Sequence, residues 1–230
     1  MRAFLTTPLF CMTLTIGTFL IGSAVSKRTG SPLANPLLLA AMQIWIFLSV
    51  TKTPVAQYYA GTEMIRFLIV PATAVLGVSI YKNLARIQKN LIPVLGGCAV
   101  GAVTPVTSIV LLCRAFGLSR EITVALAPKS VTMAIATSVS EQYGGLVPLT
   151  VFGVVVTGSI GAILAPLLIR LFRVKDPVEA GLAIGACSHA VGTSTAVKLG
   201  ETEGAMSGAA IGLCGIATVL LALLFPYVLR

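Results

Sequence analysis

Apolar residues along this chain fall into eight long runs, near 8–25, 33–51, 64–82, 91–113, 121–141, 147–172, 180–198 and 205–229. Each approaches the roughly 20 residues with which a helix crosses a bilayer core. The connectors carry turn and charge signals: Lys27-Arg28-Thr29-Gly30-Ser31-Pro32, then Lys82 to Lys89, then Arg170 to Pro177. None is long enough for an extramembrane domain, so residues 1–230 read as a single transmembrane domain of all-α class. The first run, from Met1-Arg2 to Ser23-Ala24-Val25-Ser26, has the outline of a signal peptide. Seven further runs behind it favour a retained first helix.

Composition agrees with the pattern. Of 230 residues, 57% are apolar and 10% charged, against about a quarter charged in soluble domains. That excludes a soluble globule, and the high apolar content excludes disorder. The net charge of +9 does not mark a nucleic-acid partner, because the basic residues sit in the connectors and not on one face. They act as orientation signals, since cytoplasmic loops collect Lys and Arg.

Three connectors are basic: Lys27/Arg28, Lys82/Arg86/Lys89 and Arg170/Arg173/Lys175. The connectors at 52–63 and 198–203 are mixed or acidic, with Glu63, Glu201 and Glu203. With the basic connectors cytoplasmic, segments 2, 3, 4, 7 and 8 alternate across the membrane. Three segments lie between 82–89 and 170–175, which cannot begin and end on one side if all cross. The fifth, 121–141, resolves this if it is re-entrant. It is the least hydrophobic run, with Pro128 and Lys129 at its middle and Glu121 and Glu141 at its ends. Non-helical backbone at membrane depth is tolerated where protein or a watery cavity surrounds it.

A shift of 115 residues lays the first four segments onto the last four, giving candidate inverted repeats 1–115 and 116–230. The identities are few: Gly77/Gly192, Ser79/Ser194 and Leu84/Leu199. Inverted repeats with broken helices are a recurrent build of secondary transporters, with the site at the repeat interface.

Three stretches interrupt the apolar pattern. The first is Val70-Pro71-Ala72-Thr73-Ala74-Val75-Leu76-Gly77-Val78-Ser79, where Pro71 removes a backbone donor and frees a carbonyl. The second is Ala127-Pro128-Lys129-Ser130-Val131-Thr132. A Lys at the bilayer centre costs about 2.5–3.5 kcal/mol on insertion scales, so it faces a cavity, a pore or a partner, or else snorkels to the interface. The third is Gly185-Ala186-Cys187-Ser188-His189-Ala190-Val191-Gly192-Thr193-Ser194-Thr195, with the chain's single His. Its glycines permit unwinding or close helix approach. The imidazole titrates near neutrality and so can carry a proton or donate to an anion.

Together these stretches nominate Lys129, Ser130, Thr132, Ser188, His189, Gly192, Thr193, Thr73 and Ser79 as substrate-binding residues, with Pro71 and Pro128 as helix breaks. The set is rich in donors and has no carboxylate at depth, which suits a small anion better than a metal or a cationic substrate. No metal site and no cofactor is expected. The five cysteines lie in apolar runs without a CxxC pair and read as buried thiols. No catalytic motif or intramembrane carboxylate pair is present, so an enzyme is not expected. Gly204, Gly208 and Gly212 form a GxxxGxxxG face, a packing signal within or between chains.

Pro71-Ala72-Thr73 with Tyr81-Lys82, Pro128-Lys129-Ser130-Val131-Thr132 and Ser188-His189-Ala190-Val191-Gly192-Thr193 resemble the signature stretches of the LrgB/CidB family. Gly144-Gly145 and the glycine-rich last segment fit as well, and the likeness covers nearly the whole chain. Family members often have a second proline after the Lys-Ser-Val-Thr stretch. Met133-Ala134-Ile135-Ala136 lacks it here, predicting a milder backbone break.

The resemblance implies two functions. Bacterial relatives are described as holin-like or antiholin-like partners of LrgA/CidA proteins, affecting murein hydrolase activity and autolysis. Plant relatives are similar to plastid glycolate/glycerate translocators, and bacterial ones are linked with pyruvate uptake. The polar stretches favour transport of a small monocarboxylate, coupled to protons or sodium. Expected partners are therefore the carboxylate substrate, the lipid bilayer, an LrgA/CidA-type membrane protein and further copies of the chain. The expected location is the cytoplasmic membrane of a bacterium rather than a plastid envelope.

Overall fold

A computed structural model describes residues 2–29, 36–68, 71, 78 and 81–228. It divides into two compact units, Met1–Ala72 and Thr73–Arg230.

In the first unit a short α1 (Arg2–Leu5) leads into α2 (Pro8–Thr29), followed by α3 (Pro36–Thr51), α4 (Val55–Gly61) and α5 (Glu63–Phe67). In lipid, apolar side chains do not drive helices together, so close approach and interhelical polar bonds must do it. The α2–α3 pair shows the close approach. Phe10 and Phe47 meet with ring centroids 5.7 Å apart at one end. At the other, a Cβ on Gly22 would lie 2.7 Å from the Pro36 carbonyl oxygen, so only glycine fits. The polar bond joins Thr15 Oγ1 to Tyr58 Oη at 2.6 Å and ties α4 to α2. The outer faces expose Leu9, Leu20, Trp45 and Val50, as a lipid-facing surface should.

The second unit begins with α6 (Leu84–Lys89), α7 (Leu91–Ala115), α8 (Arg120–Leu126) and α9 (Met133–Tyr143). It continues with α10 (Val147–Leu171), α11 (Pro177–Leu199), α12 (Glu201–Ala222) and α13 (Phe225–Val228). Among the described residues, α2, α7, α10 and α12 have the length and apolarity to cross a membrane. The chain is an all-α, multi-pass membrane protein.

Helices α8 and α9 form a re-entrant hairpin, as the charge pattern requires of the fifth segment. Ser119 caps α8 by accepting from the Ile122 N–H at 3.5 Å. Gly144 ends α9 in the left-handed region at φ +77°, which glycine adopts without a Cβ penalty. The next residue, Gly145, then lies back beside the second turn of α8. A Cβ on it would meet the Ala125 nitrogen at 2.9 Å. Along a straight helix those residues would stand about 30 Å apart.

Helix α11 reverses too, which departs from the expected crossing of segment seven. His189 sits inside it at φ 40° and ψ −139°, a non-helical conformation. Gly181, before the break, packs against the backbone of Glu203, while Val197, after it, lies against Gly204. Both flanks of α11 therefore meet the first turn of α12, although Gly181 and Val197 would be about 24 Å apart on a straight helix. Residues 177–199 are a second hairpin with His189 at its tip. The acidic connector at 198–203 consequently lies at the same end of the unit as the connector before Pro177, not at the far end as strict alternation predicts.

The basic connectors at 82–89 and 170–175 do share an end. A Cβ on Gly97, soon after the first, would lie 2.7 Å from Leu182, soon after the second. At that end Val94, Cys98, Leu182, Ala186, Met206 and Cys214 form a buried cluster joining α7, α11 and α12. At the other end Val110, Val124, Val139, Ala222 and Phe225 seat the first hairpin against α7 and α12. The two hairpins therefore enter from opposite ends.

Candidate functional site

Helix α10 measures about 38 Å at 1.5 Å per residue, and Gly153 and Gly158 lie about 9 and 17 Å from its start. Both hairpin tips reach it in this stretch. Lys129, on the first tip, passes Gly153 closely enough that a Cβ there would lie 3.5 Å from the lysine Cβ. His189, on the second, bonds through Nε2 to the Val154 carbonyl oxygen at 3.1 Å. A carbonyl only accepts, so Nε2 carries the proton and Nδ1 remains the ring's acceptor. Consecutive residues of one spanning helix thus hold the two tips.

The first tip is a complete interruption. Residues 127–132 are turn, bend and extended backbone between two separate helices, so the missing second proline does not soften the break. Pro128 cannot donate to a continuing helix, and Thr132 is extended at φ −62°, ψ 151°. Lys129 Nζ donates to Ser130 Oγ at 3.3 Å, and Ser130 is buried. Thr132, at the N-cap of α9, has a buried Oγ1 with no hydrogen-bond partner. A buried hydroxyl left this way costs about 1–3 kcal/mol, which a ligand oxygen would recover.

The second tip is made differently. The ring of His189 is 3% exposed and lies across Gly158, where a Cβ would stand 2.6 Å from Cε1. Ser188 fills the space over Gly161, and Gly192 packs on Ser188 and Ile184. Thr193 Oγ1 donates to the His189 carbonyl at 3.0 Å and shares a 2.7 Å bond with Ser207 of α12.

The structure therefore brings Lys129, Ser130, Thr132 and His189 to one level of α10. It places Ser188, Gly192 and Thr193 in the framework that shapes the second tip. Thr73 and Ser79 lie outside the described residues, and Pro71 is exposed in the first unit. The cysteines divide. Cys11, Cys98, Cys113 and Cys214 are buried as expected, but Cys187 is exposed. It lies near enough to Lys129 for electrostatic interaction, on the outer stripe that Ala183 and Ala190 share. Of the glycine face at 204–212, Gly204 packs within the chain. Gly204 faces Val197, and Gly181 and Gly185 bring the α11 backbone against Glu203 and Ser207.

Electrostatically, the two tips present positive groups. Two half-helices, α9 and residues 190–199, begin at the tips, and helix N-termini carry partial positive charge and free N–H groups. Lys129 adds a full charge, and Ser130 and Thr132 add directional hydroxyls.

The sequence profile of the LrgB-like family matches residues 15–228. The chain belongs to the LrgB family. Its relatives include the antiholin-like protein LrgB of Bacillus mycoides (strain KBAB4), 31% identical over 224 residues, covering 96% of this chain and 97% of the relative. The antiholin-like protein LrgB of Bacillus cereus (strain B4264) matches to the same extent. No solved structure matches. In this LrgB-family chain, sequence reasoning missed the α10 surface formed by Gly153, Val154, Gly158 and Gly161. Its trace in the sequence is a spacing of small residues within an otherwise uniform apolar run.

Proposed function

We propose that this chain is a secondary transporter of small monocarboxylates of the pyruvate, glycolate or glycerate type. The observation that carries the reading is the meeting of two opposed re-entrant tips on Gly153 and Val154, with Lys129 and the unpartnered Thr132 hydroxyl at the junction. Broken helices near mid-membrane are how secondary transporters build sites, with half-helix N-termini aimed at anionic groups. Lys129 binds the substrate carboxylate as a point charge, Ser130 and Thr132 fix its orientation, and His189 Nδ1 is the group on which a co-transported proton would travel.

The test is uptake of labelled pyruvate or glycolate into proteoliposomes holding this chain alone. Saturable flux that other small acids compete for supports the reading; no flux across a panel of such acids, with folding verified, removes it.

A second reading has its own observation. The relatives carry the name antiholin-like, which speaks more directly for a regulator of murein hydrolase activity and autolysis than for transport. On that reading the chain acts with an LrgA/CidA-type membrane partner, and the polar tips serve assembly. Lack of flux from the chain alone, together with a stable complex with such a partner and an autolysis phenotype that survives loss of Lys129, would select it.

A further inference from the structure

An apolar groove runs along α7 at the end of the unit remote from the basic connectors. Val106, Val110 and Leu111 of α7 form one wall and Leu221 and Leu224 the other, around a cavity of about 200 Å³. Its mouth holds a cation. Arg114 lies in the last turn of α7, on the same helical face as Val110 and Leu111, and donates to the Val228 carbonyl. That bond uses one of the guanidinium's five N–H groups, leaving other donors available at the rim. Phe116 and Tyr227 are largely exposed beside it. Exposed aromatics at the ends of spanning helices mark the headgroup level, so Arg114 stands at the depth of a lipid phosphate.

We propose that this groove binds one anionic phospholipid, with an acyl chain along α7 and the headgroup phosphate on Arg114. An apolar trough in the lipid-facing surface accepts a chain, and the guanidinium at its mouth matches a phosphate in charge and fork geometry. A zwitterionic lipid offers the same chain and a phosphate partly neutralised by its own ammonium, so the preference is for net negative charge. One exposed ion pair of this kind is worth up to about 1 kcal/mol, or about fivefold in affinity.

The experiment is native mass spectrometry of the full chain in detergent, titrated with phosphatidylglycerol or phosphatidylcholine of matched chains. The wild type should retain phosphatidylglycerol about fivefold better. Arg114→Gln should erase that preference, Arg114→Lys should keep most of it, and Leu111→Trp, which fills the groove from its exposed rim, should weaken both lipids. Equal retention of the two lipids by wild type, or an unchanged preference in Arg114→Gln, overturns the proposal. Displacement of the lipid by millimolar inorganic phosphate overturns it too, because the acyl chain would then contribute nothing. The Lys variant guards against misfolding: if both Arg114 variants lose lipid binding entirely, charge is not the determinant and the proposal fails.

Discussion

The hairpin at 120–143 and the hairpin at 177–199 do the same geometric job by different means. The first turns through six non-helical residues, with a proline among them and a cation at its tip. The second turns at one residue, His189, in a backbone region that side chains with a Cβ rarely occupy. Such a conformation costs about 1–3 kcal/mol and persists only where surrounding contacts over-determine it. Those contacts are visible: the Val154 carbonyl holds the ring, Gly158 makes room for it, and Ser207 anchors Thr193 one turn later. The first hairpin is locally encoded, whereas the second is held from outside. Disturbing the neighbours should therefore hurt the second more.

The all-or-none way to break this comparison is topological. In a Cys-free background, single cysteines replacing Arg86, Arg173 and Glu201 should all label from the same side of the membrane. If position 201 labels from the side opposite 173, segment seven crosses fully and the second hairpin does not exist.

Gly185→Val should have the largest effect on folding. The added side chain meets the Ser207 backbone, which cannot rotate away. The loss should reach or exceed the upper end of the roughly 1–3 kcal/mol typical of overpacking, and should appear as loss of the monodisperse species in fluorescence-detected size exclusion. A normal elution profile and melting temperature would mean that α11 and α12 do not approach so closely.

Lys129→Met should act on function and not on the fold. Substrate affinity should fall more than tenfold, since a charge-assisted bond of about 1.5–3 kcal/mol is removed. Thermal stability should hold or rise, because a charge leaves the membrane interior. Unchanged affinity in reconstituted vesicles would return Lys129 to the snorkelling category.

Smaller and more diagnostic effects belong to the second tip. Gly158→Ala should push the ring off the Val154 carbonyl and cost about 1–2 kcal/mol, at the low end for overpacking, since the ring edge can move. His189→Gln keeps a donor for Val154 while removing Nδ1, so stability should change little and the pH dependence of flux should flatten. An unchanged pH profile would leave His189 as a positioning residue only.

Much of this was readable along the chain. The membrane class and the re-entrant fifth segment follow from hydropathy, from the odd number of segments between two basic connectors, and from Pro128 with Lys129; most of the third run, 64–82, lies outside the described residues. The second hairpin was not readable. Gly185 and Gly192 signalled unwinding or close approach, and the structure uses both for approach, placing the reversal on the histidine between them.

Each segment's own residues set what it can be: which runs suit a bilayer, where a proline forbids a continuing helix, and which positions could carry charge. These properties depend on a residue and its near neighbours. Packing alone makes residues 177–199 fold back, brings two tips in from opposite ends, and lands both on Gly153 and Val154. The physical reason lies in the strain at His189. A backbone conformation that is unfavourable alone is stabilised by a carbonyl 35 residues earlier and by space left by a glycine, and no local pattern records contacts that exist only after packing.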